Sequence, residues 1–278
     1  MSLSDVLASH IGPWLFLLLS VRHLPATIVQ QVRAGSVSTL FSWAALRDAW
    51  FFNFWTTVSP EIRKSGDELV TALLQGKVRA GVITDRAEHP PMGGTVLEIG
   101  SGTGLWAELL ARDSPGVDRV FGVEPNPASL KVLRRRVREA GIGDRYVVVP
   151  VGVEDVAYGE WEGHRVEKGS VDCVVTVLCM CSVPRPEEIA REVYGYLRDG
   201  GRWYVFEHVR ADGCGWWIRF YQAVLNLFWP TCIGGCQLTR PTGEWLRQAG
   251  KWSDVDLERC VDEPWHKCIP HILGVLTK

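Results

Sequence analysis

Apolar positions along this chain change their period several times, and each change marks an element. From Thr95 onward, short runs rich in Val, Ile, Leu and Phe alternate with longer stretches whose apolar residues recur every three or four positions. The runs "TVLEIG", "RVFGVE", "RYVVVPVG", "VDCVVTVL" and "RWYVFEHV" are near-continuously apolar rather than alternating, as strands buried on both faces of a parallel sheet are. Between them, "GLWAELLARD", "PASLKVLRRRVREAG" and "PEEIAREVYGYLRDGG" carry helical spacing. A Trp-rich helix "WWIRFYQAVLNLFW" and a shorter one near "TGEWLRQAG" follow, then two closing strands near "DVDLERC" and "HILGVLT". Strand–helix repetition of this kind predicts an α/β fold with a doubly wound, mostly parallel, seven-stranded sheet of Rossmann-like type.

Upstream the pattern differs. "AEHPPMGG", residues 87–94, breaks periodicity with two prolines and two glycines and reads as the boundary before the sheet. "SGDELVTALLQGKVRAG", from Ser65, has helical spacing with Leu69, Leu73 and Leu74 on one side. Residues 1–60 read as a hydrophobic N-terminal segment and residues 61–278 as the main domain. Within that segment "IGPWLFLLLSV", residues 11–21, is uncharged but short of the roughly 20 residues a bilayer span needs. The aromatic runs "LFSWAAL" and "WFFNFW", flanked by Arg22, Arg33 and Arg47, predict a pair of interfacial helices at a membrane surface. A cap helix packed on the protein's own core and a cleaved signal segment are the alternatives; a basic leading region and an A-x-A site are both absent.

The apolar fraction of 46% and charged fraction of 22% over 278 residues fit a globular protein with a sizeable core. A net charge of −2 excludes nucleic acid as the expected partner, and "RRRVR" at residues 134–138 reads as a solvated helix face. All eight cysteines lie in the second half. Cys232 and Cys236 are four apart, but no second pair with metal-ligand spacing accompanies them, so reduced buried thiols are expected and no metal.

The candidate chemistry lies at the strand ends. "VLEIGSGTG" runs an apolar strand containing Glu98 into a turn of Gly100, Ser101, Gly102, Thr103 and Gly104. Glycine permits positive φ and close approach of backbone to a ligand. The spacing matches neither the dinucleotide fingerprint nor a P-loop. The next strand ends in Glu124, followed by Pro125 and Asn126, where a carboxylate can accept from both hydroxyls of a ribose. After the third strand, Glu154 and Asp155 stand where an adenine amino group needs an acceptor.

Together these stations resemble the class I S-adenosylmethionine-dependent methyltransferases. The resemblance implies that the glycine turn cradles the methionyl part of S-adenosyl-L-methionine, that Glu98 steadies the turn and the cofactor's amino group, and that Leu178 and Cys179 meet the cofactor through their backbone. From Gly169 on, "GSVDCVVTVLCMCSV", "EIAREVYGYLRDGGRWYVFEHV", "GGCQLTR" and "PHILG" resemble the methyltransferase-like protein 7 family of membrane-attached thiol methyltransferases. The chain departs from that group at Ser101 for cysteine, Glu124 for aspartate, Val153 for glycine and Gln237 for asparagine.

The resemblance implies an enzyme that S-methylates a small lipophilic acceptor at an endoplasmic reticulum or lipid droplet surface facing the cytoplasm, with a cytoplasmic location as the alternative. O- or N-methylation in natural-product or lipid biosynthesis, and a non-catalytic cofactor-binding membrane scaffold, are the competing functions. For activating an acceptor, His208 at the end of "FEHV" is the first candidate and Glu207, facing the other way along a strand, the second. Arg240 and His271 belong to the family-like motifs, with structural roles at least as well suited to them.

Overall fold

In the computed structural model, which describes residues 3–278, the sheet is built from the strands the sequence marks; the first two residues of the N-terminal segment lie outside the described residues. In chain order come α1 (Leu3–Arg33), a 3-10 turn (Val37–Phe41), α2 (Trp43–Leu74), the short strands β1 (Val78–Arg79) and β2 (Val82–Ile83), β3 (Gly94–Ile99), α3 (Ala107–Ala111), β4 (Val117–Val123), α4 (Pro127–Glu139) and β5 (Tyr146–Val149). A 3-10 segment (Val153–Tyr158) leads to β6 (Val171–Val177), α5 (Pro186–Tyr196), β7 (Leu197–His208), α6 (Trp216–Asn226), α7 (Trp229–Cys232), α8 (Thr242–Arg247), β8 (Asp254–Arg259) and β9 (His271–Thr277).

The seven-stranded sheet has the order β5-β4-β3-β6-β7-β9-β8, parallel from β5 to β7, with β9 antiparallel to both its neighbours. The direction of travel reverses between β3 and β6, and in such sheets the ligand crevice opens beyond the carboxyl ends of those strands. Neighbouring strand residues feed opposite core layers: Leu97 packs with Phe121, Val174 and Trp203, while Val96 packs with Val120, Tyr146 and Tyr204. Burial on both faces accounts for the unbroken apolar strands. Arg134, Arg135 and Arg138 lie on the solvent side of α4, with Leu133 and Val137 inward, whereas Arg136 is half-buried and donates to the Gly104 carbonyl at 2.9 Å.

Three local readings differ. The helix from Ser65 stops at Leu74, and "KVRAGVI" forms the β1–β2 hairpin instead. Gly76, Ala80 and Gly81 all take positive φ there, and Asp256 accepts from the Ala80 amide at 2.8 Å, which fixes a turn no periodicity signals. Second, α2 runs unbroken through Pro60, so the boundary drawn at residues 60 and 61 falls inside one helix.

Third, the short apolar run at residues 11–21 is the middle of one helix of 31 residues, carrying Pro13 and Pro25, so the expected pair of N-terminal helices is present as α1 and α2 but each is longer than its apolar runs. The stretch Asp5–Arg33 is long and apolar enough to cross a membrane by length and composition. One side of α1 is bound into the protein: Ser20 donates to the Cys232 carbonyl at 2.7 Å, and Trp50 donates to the Ser20 carbonyl at 2.7 Å. The other side is bare, with Leu7, Ile11, Leu15 and Leu18 each at least half exposed.

Candidate functional site

The crevice is built around the turn after β3. Gly100, Gly102 and Gly104 all have positive φ, yet each does a different job. A Cβ on Gly100 would stand 2.6 Å from Cys179 Cβ, and one on Gly104 would stand 2.7 Å from Leu133 Cδ1. These two glycines let the loop after β6 and helix α4 close in. Only Gly102 has room, its nearest neighbour being the Gly100 carbonyl at 3.8 Å, so it is the glycine that leaves the turn's backbone open to a ligand. Thr103 is buried in the turn, and the Ser101 hydroxyl is buried beside Tyr146 without a well-directed hydrogen bond.

Glu124, at the end of β4, braces this turn. Its Oε2 accepts from the Gly102 amide at 2.9 Å and its Oε1 from the Asn126 amide at 2.8 Å. Burial raises its pKa against the pull of those two amides. Each oxygen keeps a further lone pair. Asn126 is committed to capping α4, its side chain accepting from the Ala128 and Ser129 amides, and Pro125 is exposed.

Glu98 is fully enclosed within β3, and its carboxyl accepts from the Tyr146 hydroxyl. Burial pushes its pKa up to about 7, opposed by that hydrogen bond and aided by Glu124. Sequence reasoning missed Tyr146. The ring crosses β4 at Gly122, whose missing side chain is the space it occupies. A tyrosine opening one strand and a glycine in the strand beside it were the only available signals.

The third predicted station is looser. Glu154 and Asp155 open the 3-10 segment after β5; Glu154 lies 4.0 Å from Arg185 in a half-open ion pair, and Asp155 is exposed.

The opposite wall comes from the ends of β6 and β7. Leu178 holds a positive φ of 53° while its amide donates to the Phe206 carbonyl at 2.9 Å, which swings the following residues across the strand ends. The Glu207 carboxylate accepts from the Cys179 amide at 3.1 Å and the Met180 amide at 3.2 Å. Burial first, then proximity to Cys181, raises its pKa to about 8. Glu207 therefore holds a loop, through the Cys179 and Met180 amides and the Cys179 thiol at 3.4 Å. Arg240 grips the same loop from outside, donating to the Met180 and Val183 carbonyls at 2.6 and 2.8 Å. His271 pairs with Glu263 at 2.6 Å and packs on Phe206, a structural role.

His208 faces away from Glu207, as strand alternation requires. It sits among cysteines: Nε2 is 3.1 Å from Cys236 Sγ, and the Cys181, His208 and Cys236 donor atoms all lie within 4.8 Å of one another. Cys181 is pulled well below the ordinary thiol range by its hydrogen bond from Cys236 and by His208. Burial works against charge on His208, but the neighbouring Cys181 outweighs it and raises the imidazole's pKa. Cys236 goes the other way, raised by burial. Sequence reasoning expected reduced, buried thiols and did not foresee this meeting, because its members come from three separate segments.

Comparison with known proteins adds the following. Residues 97–205 match the family model described as a methyltransferase domain. The human thiol S-methyltransferase TMT1A is 38% identical over 186 residues, covering 66% of this chain and 70% of its own length. Human thiol S-methyltransferase TMT1B is 34% identical over 189 residues, with the same coverage of 66% and 70%. Among solved structures, an O-methyltransferase family protein from Burkholderia thailandensis superposes with a TM-score of 0.57 at 14% identity, over 94% of this chain and 71% of that one. The [4+2]-cyclase SpnF superposes with a TM-score of 0.54 at 18% identity, over 77% of this chain and 81% of that one. A fold shared with a cyclase leaves the chemistry to the site.

Proposed function

The chain belongs to the thiol S-methyltransferase family, an S-adenosylmethionine-dependent group of methyltransferases, and from that premise we propose that it transfers a methyl group to a small lipophilic thiol. The observation that carries the choice of acceptor is the buried cluster of Cys181, His208 and Cys236, in which Cys181 follows the carboxyl end of β6 and His208 closes that of β7, a set of soft donors suited to sulfur.

The residues present fit S-adenosyl-L-methionine. The room at Gly102, the spare lone pairs of Glu124 and the Ser101 hydroxyl without a good partner are what a polar ligand with a ribose would complete. When bound, the cofactor supplies a methyl already activated on a positively charged sulfur. In this reading the backbone of residues 100–104 and Glu98 hold its amino-acid end. Glu124, with Pro125 and Asn126 shaping the loop, takes the ribose, and Glu154 and Asp155 take the adenine amino group. Leu178 and Cys179 contact the cofactor by their backbone. Glu207 fixes the loop that carries Cys179, and His208 holds the acceptor sulfur beside the methyl. Alignment and exclusion of water are the protein's main contributions.

We also propose that residues 61–278 form the methyltransferase domain and that residues 1–60 attach it to a membrane surface, at the endoplasmic reticulum or a lipid droplet facing the cytoplasm. Support comes from the bare face of α1 and from Trp216, Trp217 and Phe220, which α6 leaves more than half exposed.

The test is methyl transfer from labelled cofactor by the full chain, in detergent, to an alkyl thiol, a phenol and an amine. Transfer to the thiol alone supports the reading. Transfer to the phenol or amine instead favours O- or N-methylation, and cofactor binding with no transfer favours a scaffold.

A further inference from the structure

We propose that Cys181, His208 and Cys236 bind a zinc ion whose fourth position takes the acceptor as a thiolate. The proposal departs from the sequence expectation of no metal, which rested on spacing. The structure brings together two thiols and an imidazole from the loop after β6, the end of β7 and the loop after α7.

Three observations carry it. All three residues are buried, and their donor atoms lie within 4.8 Å of one another. Tetrahedral zinc with sulfur at about 2.3 Å and nitrogen at about 2.0 Å has ligand–ligand edges of roughly 3.5–3.8 Å, so the widest separation would close by about 1.3 Å at most and the 3.1 Å His208–Cys236 edge would open by a few tenths. The supporting shell is in place. The Trp229 indole N–H, which can only donate, points at Cys236 Sγ at 3.1 Å, and the Gln237 amide donates to the Cys181 carbonyl at 2.9 Å, tying the two cysteine loops together. Finally, His208 presents Nε2 to the cluster, 3.1 Å from Cys236 Sγ, which fixes the nitrogen that would ligate; Nδ1, on the far side of the ring, is buried with no partner among the described residues.

Two cysteines and one histidine are a three-ligand set, and zinc with three protein ligands keeps a position for water or substrate. Filling the set releases the cysteine protons. An acceptor R–SH then binds as R–S⁻ and gives its proton to solvent. Its sulfur forms the bond to the methyl carbon as the methyl's bond to the donor sulfur breaks, and that electron pair stays on the donor sulfur. The product is a neutral thioether, a weaker ligand than a thiolate, so it leaves. The fourth-ligand step rests on the thiol reading above; the metal site does not.

The experiment measures zinc in the full chain, purified in detergent with a non-chelating reductant, and records the thiolate-to-metal absorption of the cobalt(II)-substituted protein. About one zinc per chain is expected, with metal affinity falling roughly 10–100-fold or more in Cys236→Ser and Cys181→Ser but not in Cys268→Ser. Adding an alkyl thiol without cofactor shifts the cobalt spectrum. A folded, cofactor-binding wild-type chain that takes up neither metal overturns the proposal, whether its two cysteines prove free or disulfide-bonded. If such a chain still methylates thiols, the thiol reading stands without the metal. If the metal binds but no thiol alters its spectrum or is methylated, the fourth-ligand step falls and the thiol reading with it.

Discussion

The Tyr146 hydroxyl donates to Glu98 across an intervening strand, passing over Gly122 to do so. β5, β4 and β3 are thereby joined by a side chain as well as by their ladders, directly beneath the glycine turn. The same contact gives the buried acid of β3 a partner, without which its enclosure would cost several kcal/mol.

The pair sets a pH dependence. Burial holds the Glu98 carboxyl at about 7, with Tyr146 and Glu124 as the groups facing it, whereas its ordinary value is 4.5. The native chain therefore binds more protons between those values than the unfolded chain does. The corresponding stability is fully present below 4.5 and is lost as pH rises through about 7, an effect of about 3 kcal/mol. Glu98→Gln keeps an acceptor for Tyr146 and removes the titration. Its melting midpoint should fall less than that of wild type between roughly pH 5 and pH 8. Parallel profiles for the two proteins would refute this.

The glycine turn separates packing from ligand contact. Gly104→Ala drives a methyl against Leu133 and should destabilise the fold by roughly 1–3 kcal/mol. Gly102→Ala meets no clash; its cost is the left-handed backbone, about 1–2 kcal/mol, and a methyl in the one open part of the cradle. Cofactor titration by calorimetry should show weaker binding for Gly102→Ala out of proportion to its melting midpoint. Equal affinity for wild type and Gly102→Ala would assign the cradle elsewhere.

Glu124 is used twice, as brace and as proposed ribose partner. Glu124→Ala leaves the Gly102 and Asn126 amides without their acceptor and should weaken cofactor binding by 10-fold or more, a loss of about 1.4 kcal/mol or greater. Glu124→Asp, one methylene shorter, should recover part of it. Failure of Glu124→Ala to change the affinity would detach the ribose from this strand end.

Much of this was legible in the sequence because it is local. The strands were readable from continuous apolar runs, the turn from its glycines, and Glu124 from its place at a strand end. What escaped detection depends on distance in space. Nothing near Tyr146 announces Glu98, and nothing in the spacing of Cys181, His208 and Cys236 announces one cluster. The separate jobs of Gly100 and Gly104 are set by Cys179 and Leu133, which reach them from other elements. The length of α1 was underestimated because polar residues, His10 and Arg22 among them, interrupt its apolar run without interrupting its helix.

That helix supplies the last prediction. Leu7, Ile11, Leu15 and Leu18 recur at intervals of four, four and three, so they line one exposed stripe, while Leu17 and Ser20 face the protein. Charge on the stripe should therefore separate membrane binding from folding. Replacing Leu15 and Leu18 together with Asp removes apolar area from any lipid contact, at about 25 cal/mol per Å². It leaves the Ser20–Cys232 and Trp50–Ser20 contacts of the other face untouched. The double variant should float free of phosphatidylcholine vesicles in a sedimentation assay while binding cofactor as the wild type does. Sedimentation with the vesicles to the same extent as wild type would take the stripe out of the membrane interface. Loss of cofactor binding would instead make α1 part of the enzyme's own core, the cap reading of the N-terminal segment.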